Sequence, residues 1–241
     1  VCRQLILIVA FLGLPVVARA QAEVKQPDLP KVVSLIIDRT NDFRKSEKRE
    51  PVKVNADLTK AAEYFAKFMA ESGKYGHEAD GQKPTDRAKK HGYDYSLILE
   101  NIAYMFHPEG FTTDDLGGGL MKGWKESPGH RKNMLDPDVT ETGVAVARSE
   151  KTGYFYAVQM FGRPKSLAVE IKIANRTDVP VEFTIGEDKY TVEPRYTQTQ
   201  SRGRAGEITF QAPTGLEPVK FAAGDQFTVT GKNGSYQVKK D

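Results

Sequence analysis

W-K-E-S-P-G-H-R-K-N-M-L-D-P-D-V-T-E-T-G, running from Trp124 to Gly143, is the stretch on which the fold of this chain turns. Ser127-Pro128 opens a helix well, because a serine oxygen can accept from the orphan amides of a first turn and proline at the first helical position loses no hydrogen bond. His130 then falls at the third helical position, where the positive end of the helix dipole disfavours an imidazolium and leaves the neutral ring that binds metal or accepts a proton. The helix has little room to run, since Pro137 disfavours helical geometry at Asp136. Gly143-Val144-Ala145-Val146-Ala147 reads as a buried strand. A histidine is thus held on a short helix that feeds a sheet. Ser127 and His130 are local neighbours on a cap, which accounts for the pair without a catalytic triad.

Downstream, Val144–Arg148 and Tyr154–Phe161 form an expected antiparallel hairpin across Ser149-Glu150-Lys151-Thr152-Gly153. Tyr154, Tyr156, Val158 and Met160 share one face of the second strand, and Phe155, Ala157, Gln159 and Phe161 the other. A strand apolar on both faces belongs in a sheet between two helical layers.

Upstream, Thr113-Asp114-Asp115 suits the start of a helix carrying Leu116, Leu120, Met121 and Trp124 on one side, with Trp124 a core residue. Gly117 to Gly119 weaken that helix by about 1 kcal/mol each relative to alanine, and no Gly-Lys-Ser/Thr follows that would make them a phosphate loop. Before it, Leu97 to Met105 is apolar apart from Glu100 and Asn101. A carboxylate in such a run is costly without a partner, so Glu100 needs a donor or a cation, and a buried salt bridge would serve. Pro84-Thr85-Asp86-Arg87 reads as the cap and first turn of a helix ending near His91-Gly92. A longer helix, capped by Asp57 and running to about Ser72, carries Leu58, Ala61, Ala62, Phe65, Phe68 and Met69 at helical spacing. Gly73 and Gly76 stop it, and His77 follows at once, where a histidine can simply cap carbonyls in solvent. The first helix begins near Lys31, after a linker over residues 21–30.

At the start of the chain, Arg3, the apolar run Leu5 to Leu14 and Ala18-Arg19-Ala20 have the order of a secretory leader over residues 1–20, with cleavage expected after Ala20 or Ala22. The apolar run is short of the roughly 20 residues a spanning helix needs, so no transmembrane segment is expected in the mature chain. Cys2 is the only cysteine and lies in that leader. The mature chain would then lack a cysteine nucleophile or cysteine metal ligand, although an exported protein could form disulfides. Cleavage also removes Arg3 and Arg19 from 35 basic residues that face 32 acidic ones. A balance near zero gives no electrostatic footprint for nucleic acid or an anionic membrane.

After Gly162-Arg163-Pro164 the texture changes. Residues 166–241 show short alternating runs, Leu167–Ala174, Val181–Ile185, Lys189–Val192, Glu207–Gln211, Gln226–Thr230 and Tyr236–Lys239, separated by turn signals such as Lys232-Asn233-Gly234. That pattern is a small all-β sandwich or barrel.

Four local patterns in order give the first part, about residues 31–163, a family resemblance. They are Gly76-His77 with Asp80-Gly81 and Pro84-x-Asp86-Arg87; Glu100-Asn101-Ile102-Ala103; Trp124-x-x-Ser127-Pro128-Gly129-His130-Arg131-x-Asn133-Met134-Leu135; and Gly143-Val144-x-Val146 followed by Tyr156-x-x-Gln159-Met160-Phe161-Gly162. It resembles the CAP superfamily (cysteine-rich secretory, antigen-five and pathogenesis-related-one proteins; the SCP-like domain) in its cysteine-poor bacterial form. The resemblance implies an α+β fold, a three-layer α/β/α sandwich with a central cleft, here followed by the small β sandwich. It implies a tetrad of two histidines and two acids able to hold a divalent metal such as zinc. Position by position, His77 and Glu100 match the first histidine and first glutamate, and His130 the second histidine. The second glutamate position is Ser127, with Glu126 its neighbour, so the expected metal ligands are His77, Glu100 and His130, with Glu126 and Ser127 as cleft neighbours.

Besides an adhesin in which the remnant of the tetrad is structural, two functions stay open. One is a secreted, periplasmic or extracellular binding module, without catalysis, for an envelope, lipid or protein partner. The other is a metal-dependent hydrolase of peptidase type, for which two imidazoles, a carboxylate and an open position are a usable ligand set. The hydrolase also needs a base and an oxyanion stabiliser, for which the sequence offers only Glu126 as a remote base.

Overall fold

The computed structural model describes residues 24–211 and 217–241. The expected leader and Cys2 lie outside the described residues. Helix α1 (Leu29–Ser46) is capped by Asp28, whose carboxylate accepts from the Lys31 amide, with Pro30 in its first turn. It therefore starts inside the stretch expected to be linker. Strand β1 (Lys53–Val54) precedes helix α2 (Ala56–Ser72), whose cap is Asn55 rather than Asp57; Asn55 accepts from the amides of Asp57 and Leu58. The Asn55 amide is bonded to the carbonyl of Thr142. That bond makes Asn55 the last extended residue and puts Asp57 in the first turn, where its charge complements the helix dipole.

Helix α3 (Pro84–Lys90) and strand β2 (Tyr95–Met105) follow, then helix α4 (Thr113–Glu126), capped by Thr112. The three glycines leave α4 unbroken because its neighbours use the space: a Cβ at Gly119 would stand 2.5 Å from the Met105 Cε, and one at Gly117 would touch Leu35 of α1. Helix α5 (Pro128–Met134), strand β3 (Glu141–Arg148) and strand β4 (Phe155–Pro164) complete the first part. The sheet order is β1-β3-β4-β2. Only β1 and β3 run parallel.

Both faces of this sheet are covered. Phe155, Ala157 and Phe161 of β4 join Val32, Ile36, Leu116 and Trp124 from α1 and α4. Tyr156, Val158 and Met160 join Leu58, Phe65 and Met69 from α2, with Ala88 from α3. Each large apolar side chain fully buried in these layers contributes about 1.5–3 kcal/mol. This is the expected α/β/α sandwich.

After a single 3-10 turn (Lys165–Leu167) the chain is all strand: β5 (Val169–Asn175), β6 (Val181–Ile185), β7 (Asp188–Val192), β8 (Thr197–Arg202), β9 (Gly206–Phe210), β10 (Val219–Phe221), β11 (Gln226–Lys232) and β12 (Ser235–Lys240). They form two four-stranded sheets, β10-β9-β6-β7 and β12-β11-β5-β8. Ile171, Ile173, Phe183, Phe210, Phe227 and Val229 fill the core between them. Sequence periodicity missed β1, β8 and β10. Thr197–Arg202 contains no apolar residue, and it is a strand because it pairs along β5, with Gln200 opposite Ile171. Among the described residues no helix is long and apolar enough to cross a membrane.

Candidate functional site

The site lies where the loop after α2 meets the free edge of β2. Gly73 closes α2 in a left-handed conformation, and Gly76, at φ 139°, turns the chain into the loop. His77 then stands with Nδ1 2.8 Å from Glu100 Oε1. An ionised Glu100 keeps a proton on Nδ1 and leaves the Nε2 lone pair free. The His77 side chain is half exposed, whereas that of Glu100 is buried.

The cation that Glu100 requires is Arg87. Its Nη2 donates to both carboxylate oxygens, at 3.0 and 2.8 Å, and to the carbonyl of His77 at 2.8 Å. Its Nη1 donates to Asp80 Oδ1 and to the carbonyl of Gln82. The guanidinium lies over the Phe65 ring, 3.6 Å from its centroid. The loop from His77 to Gln82 is therefore wrapped around a fully buried arginine. Two buried carboxylates face one guanidinium, so the cluster carries one uncompensated negative charge directly beneath the His77 ring.

His130 is delivered from the other side of the sheet edge. Asn101 Nδ2 donates to the carbonyl of His130, while Asn133 Nδ2 donates to Asn101 Oδ1 and to the carbonyl of Glu100. These amides fasten α5 to β2, which explains asparagines at 101 and 133. Burial pushes the pKa of His130 below its ordinary 6.5, and the facing His77 pushes it further the same way. The unfolded chain therefore protonates this ring at a higher pH than the folded one. Its contribution to stability is full above the unfolded value of about 6.5 and is lost as pH falls through the folded value. Acidification from about pH 7.5 to about pH 5 is expected to lower the urea midpoint, and less steeply in His130→Gln than in the wild type. Equal slopes would remove His130 as the cause.

The structure thus brings His77 against Glu100 and sets His130 facing His77. Glu100, the third expected ligand, has both oxygens hydrogen-bonded, to Arg87 and to His77. Among the described residues no group of three or more His, Cys, Asp or Glu is arranged to hold a metal. Two imidazoles remain as donors. Ser127 ends α4 and begins α5 with extended backbone, and its side chain makes no capping bond, contrary to the sequence expectation. Glu126 lines a groove of about 700 Å³ with Arg39, Phe43, Lys125 and Arg131, a set that includes neither imidazole. Sequence reading assigned no role to Asp80, Arg87, Asn101 or Asn133. The need of Glu100 for a cation was the signal that could have found Arg87.

Residues 37–161 match the model of the CAP family, the cysteine-rich secretory proteins. Over 129 residues the chain is 29% identical to YkwD of Bacillus subtilis strain 168, covering 53% of this chain and 46% of that protein. Over 121 residues it is 28% identical to the membrane protein YlbC of the same organism, covering 50% of this chain and 33% of that one. The chain thus spans less than half the length of these curated relatives. An outer surface protein from Borrelia burgdorferi shares the fold with a TM-score of 0.50 at 18% identity, covering 56% of this chain and 94% of that one. The matched residues are those that build the three layers and carry His77, Glu100 and His130, and they make up more than half of the chain, which therefore belongs to the cysteine-rich secretory protein (CAP) family.

Proposed function

We propose that this protein is an exported, non-catalytic binding module whose cleft takes a divalent cation such as zinc between His77 and His130. The observation that carries the reading is the pairing of two buried carboxylates, Asp80 and Glu100, with one guanidinium, Arg87, against the His77 ring that His130 senses. A buried charge of that kind favours a cation at its solvent side. Glu100 acts through His77, holding the ring so that one nitrogen stays free, as second partners of metal-binding histidines do. With two protein donors, zinc would complete a four-coordinate shell with water or with a bound molecule. Export is supported by the leader-like residues 1–20 and by the outer-surface designation of the Borrelia protein of the same fold. An envelope, lipid or protein partner is consistent with that location.

The non-catalytic reading rests on Glu126, the one base the sequence nominated, which lines a different groove. Zinc titration by calorimetry is expected to give one equivalent bound and a raised melting temperature, because a ligand of the native state stabilises it. Both effects should vanish in His77→Ala and in His130→Ala. Wild-type protein that binds no zinc and melts unchanged would sink the cation site. Turnover on a panel of peptides and esters, lost in His130→Ala, would replace the binding module by the hydrolase.

A further inference from the structure

Residues 134–139, which lead from α5 toward β3, are gripped by arginines from three parts of the chain. Arg44 of α1 is fully buried and donates to the carbonyls of Met134, Asp136 and Val139. Arg163, near the end of β4, donates from Nη1 to the carbonyl of Asp138 and from Nε to that of Leu167. The third, Arg204, comes from the β sandwich, in the turn between β8 and β9. Its Nη2 donates to Asp136 Oδ2 at 3.0 Å, and its Nε lies 3.6 Å from Asp138 Oδ2. Beside it, the Gly203 backbone rests on β2: a Cβ there would overlap the Ser96 carbonyl oxygen and stand 3.1 Å from the Leu97 Cβ.

Two units with separate cores and a short connection move relative to each other unless something fixes them, and an exposed ion pair alone would not. Here one partner is buried. The Asp136 side chain is 6% exposed, and its Oδ1 already accepts from the Asp138 amide. Arg204 is the cation at its other oxygen. Removing that cation leaves a buried carboxylate short of a donor, which costs far more than losing a surface pair. The hydrogen bonds of Arg44 to this segment all go to carbonyls, so it does not stand in. The connection is fastened as well: the Lys165 amide donates to the carbonyl of Asp94, and Ser96 Oγ to the carbonyls of Arg163 and Pro164.

We propose that the β sandwich is a clamp on the cleft: Arg204, with Gly203 seated on Ser96, holds the segment after α5 and thereby the helix that carries His130. Helix α5 is then fixed to β2 through Asn101 and Asn133, and at its C-terminal end by Arg44 and Arg204. The sandwich and the three-layer part act as one binding unit. The clamp deepens the binding-module reading, but its test needs no cation, so it stands or falls separately from the zinc titration.

The test is residue-resolved amide hydrogen exchange of the full chain, measured without added metal. Arg204→Ala is expected to speed exchange at the amides of Arg131, Leu135 and Asp138, which are bonded within α5 and the segment after it. The expected factor is about tenfold, the scale of one hydrogen bond to a charged group. Amides of α2 and of strands β5 and β11 should keep their wild-type rates. Arg204→Lys should retain part of the protection, since an ammonium reaches one carboxylate where the planar guanidinium serves two. The Arg204 side chain is 44% exposed, so these variants should fold. Gly203→Ala tests the seat independently, because it removes no charge and residue 203 is not in the left-handed region. It should loosen the same three amides. Unchanged rates at those amides in either alanine variant overturn the clamp. Equal acceleration throughout the chain overturns it too, because that marks a general loss of stability.

Discussion

Arg87→Met is expected to destabilise the protein by about 3–5 kcal/mol, the scale found when one partner of a buried ion pair is removed. Methionine fills much of the same space, so the loss is mainly electrostatic rather than a cavity effect. Asp80 and Glu100, each 1% exposed at the side chain, would be left buried with no cation beside them. The loop carbonyls of His77 and Gln82 would also lose their shared donor. Urea unfolding measures the effect. Adding Glu100→Gln should recover part of the loss, because the two residues are directly bonded and their effects cannot add. Arg87→Lys should fall between, since an ammonium keeps the charge but cannot serve Glu100 and Asp80 at once as the two ends of the planar guanidinium do. A loss below about 1 kcal/mol for Arg87→Met would show that the cluster is not a buried charge network.

Gly143→Ala is the second large expectation, a loss of about 3 kcal/mol from overpacking. A Cβ at this position would overlap the Leu58 carbonyl carbon and the Thr59 nitrogen. Those are backbone atoms of α2, so no rotamer change relieves the contact and the helix must move off β3. The same helix leads into the His77 loop, so zinc binding should weaken together with stability. Gly129→Ala is the control: nothing lies within 4 Å of its would-be Cβ, and alanine in a helix should be neutral or stabilising by up to about 1 kcal/mol. Equal unfolding midpoints for the two variants would refute the close approach of α2 to β3.

Both expectations concern residues whose type was visible in the sequence while the reason was not. Gly143 stood in a strand pattern, and Arg87 stood in a local Pro-x-Asp-Arg motif. The periodicity of β4 was legible over most of its length, because both alternating sets of side chains are mainly apolar and only a sheet between two layers buries both. The strand of Thr197–Arg202 was illegible for the opposite reason: its place is set by bonds to β5 and not by its own side chains. The cap of α2 was half legible. Asn55 and Asp57 are both good caps, and the choice fell to Asn55 because its amide reaches Thr142 on β3.

The candidate site divides in the same way. Sequence patterns determined that His130 rides a short helix feeding a strand, that His77 follows a helix stop, that Glu100 needs a partner, and that the chain carries CAP motifs. Those are local properties, set by capping, proline and glycine geometry and side-chain period. Only the tertiary structure decided that the partner of Glu100 is Arg87, that Asn101 and Asn133 fasten His130 to the same strand, and that Glu126 lines a separate groove. Each of these depends on which segments the folded chain brings into hydrogen-bonding reach, and such contacts leave no period in the residues that make them. The same physics gives Glu100, expected as a metal ligand, the Arg87 guanidinium and the His77 ring as its bonded partners.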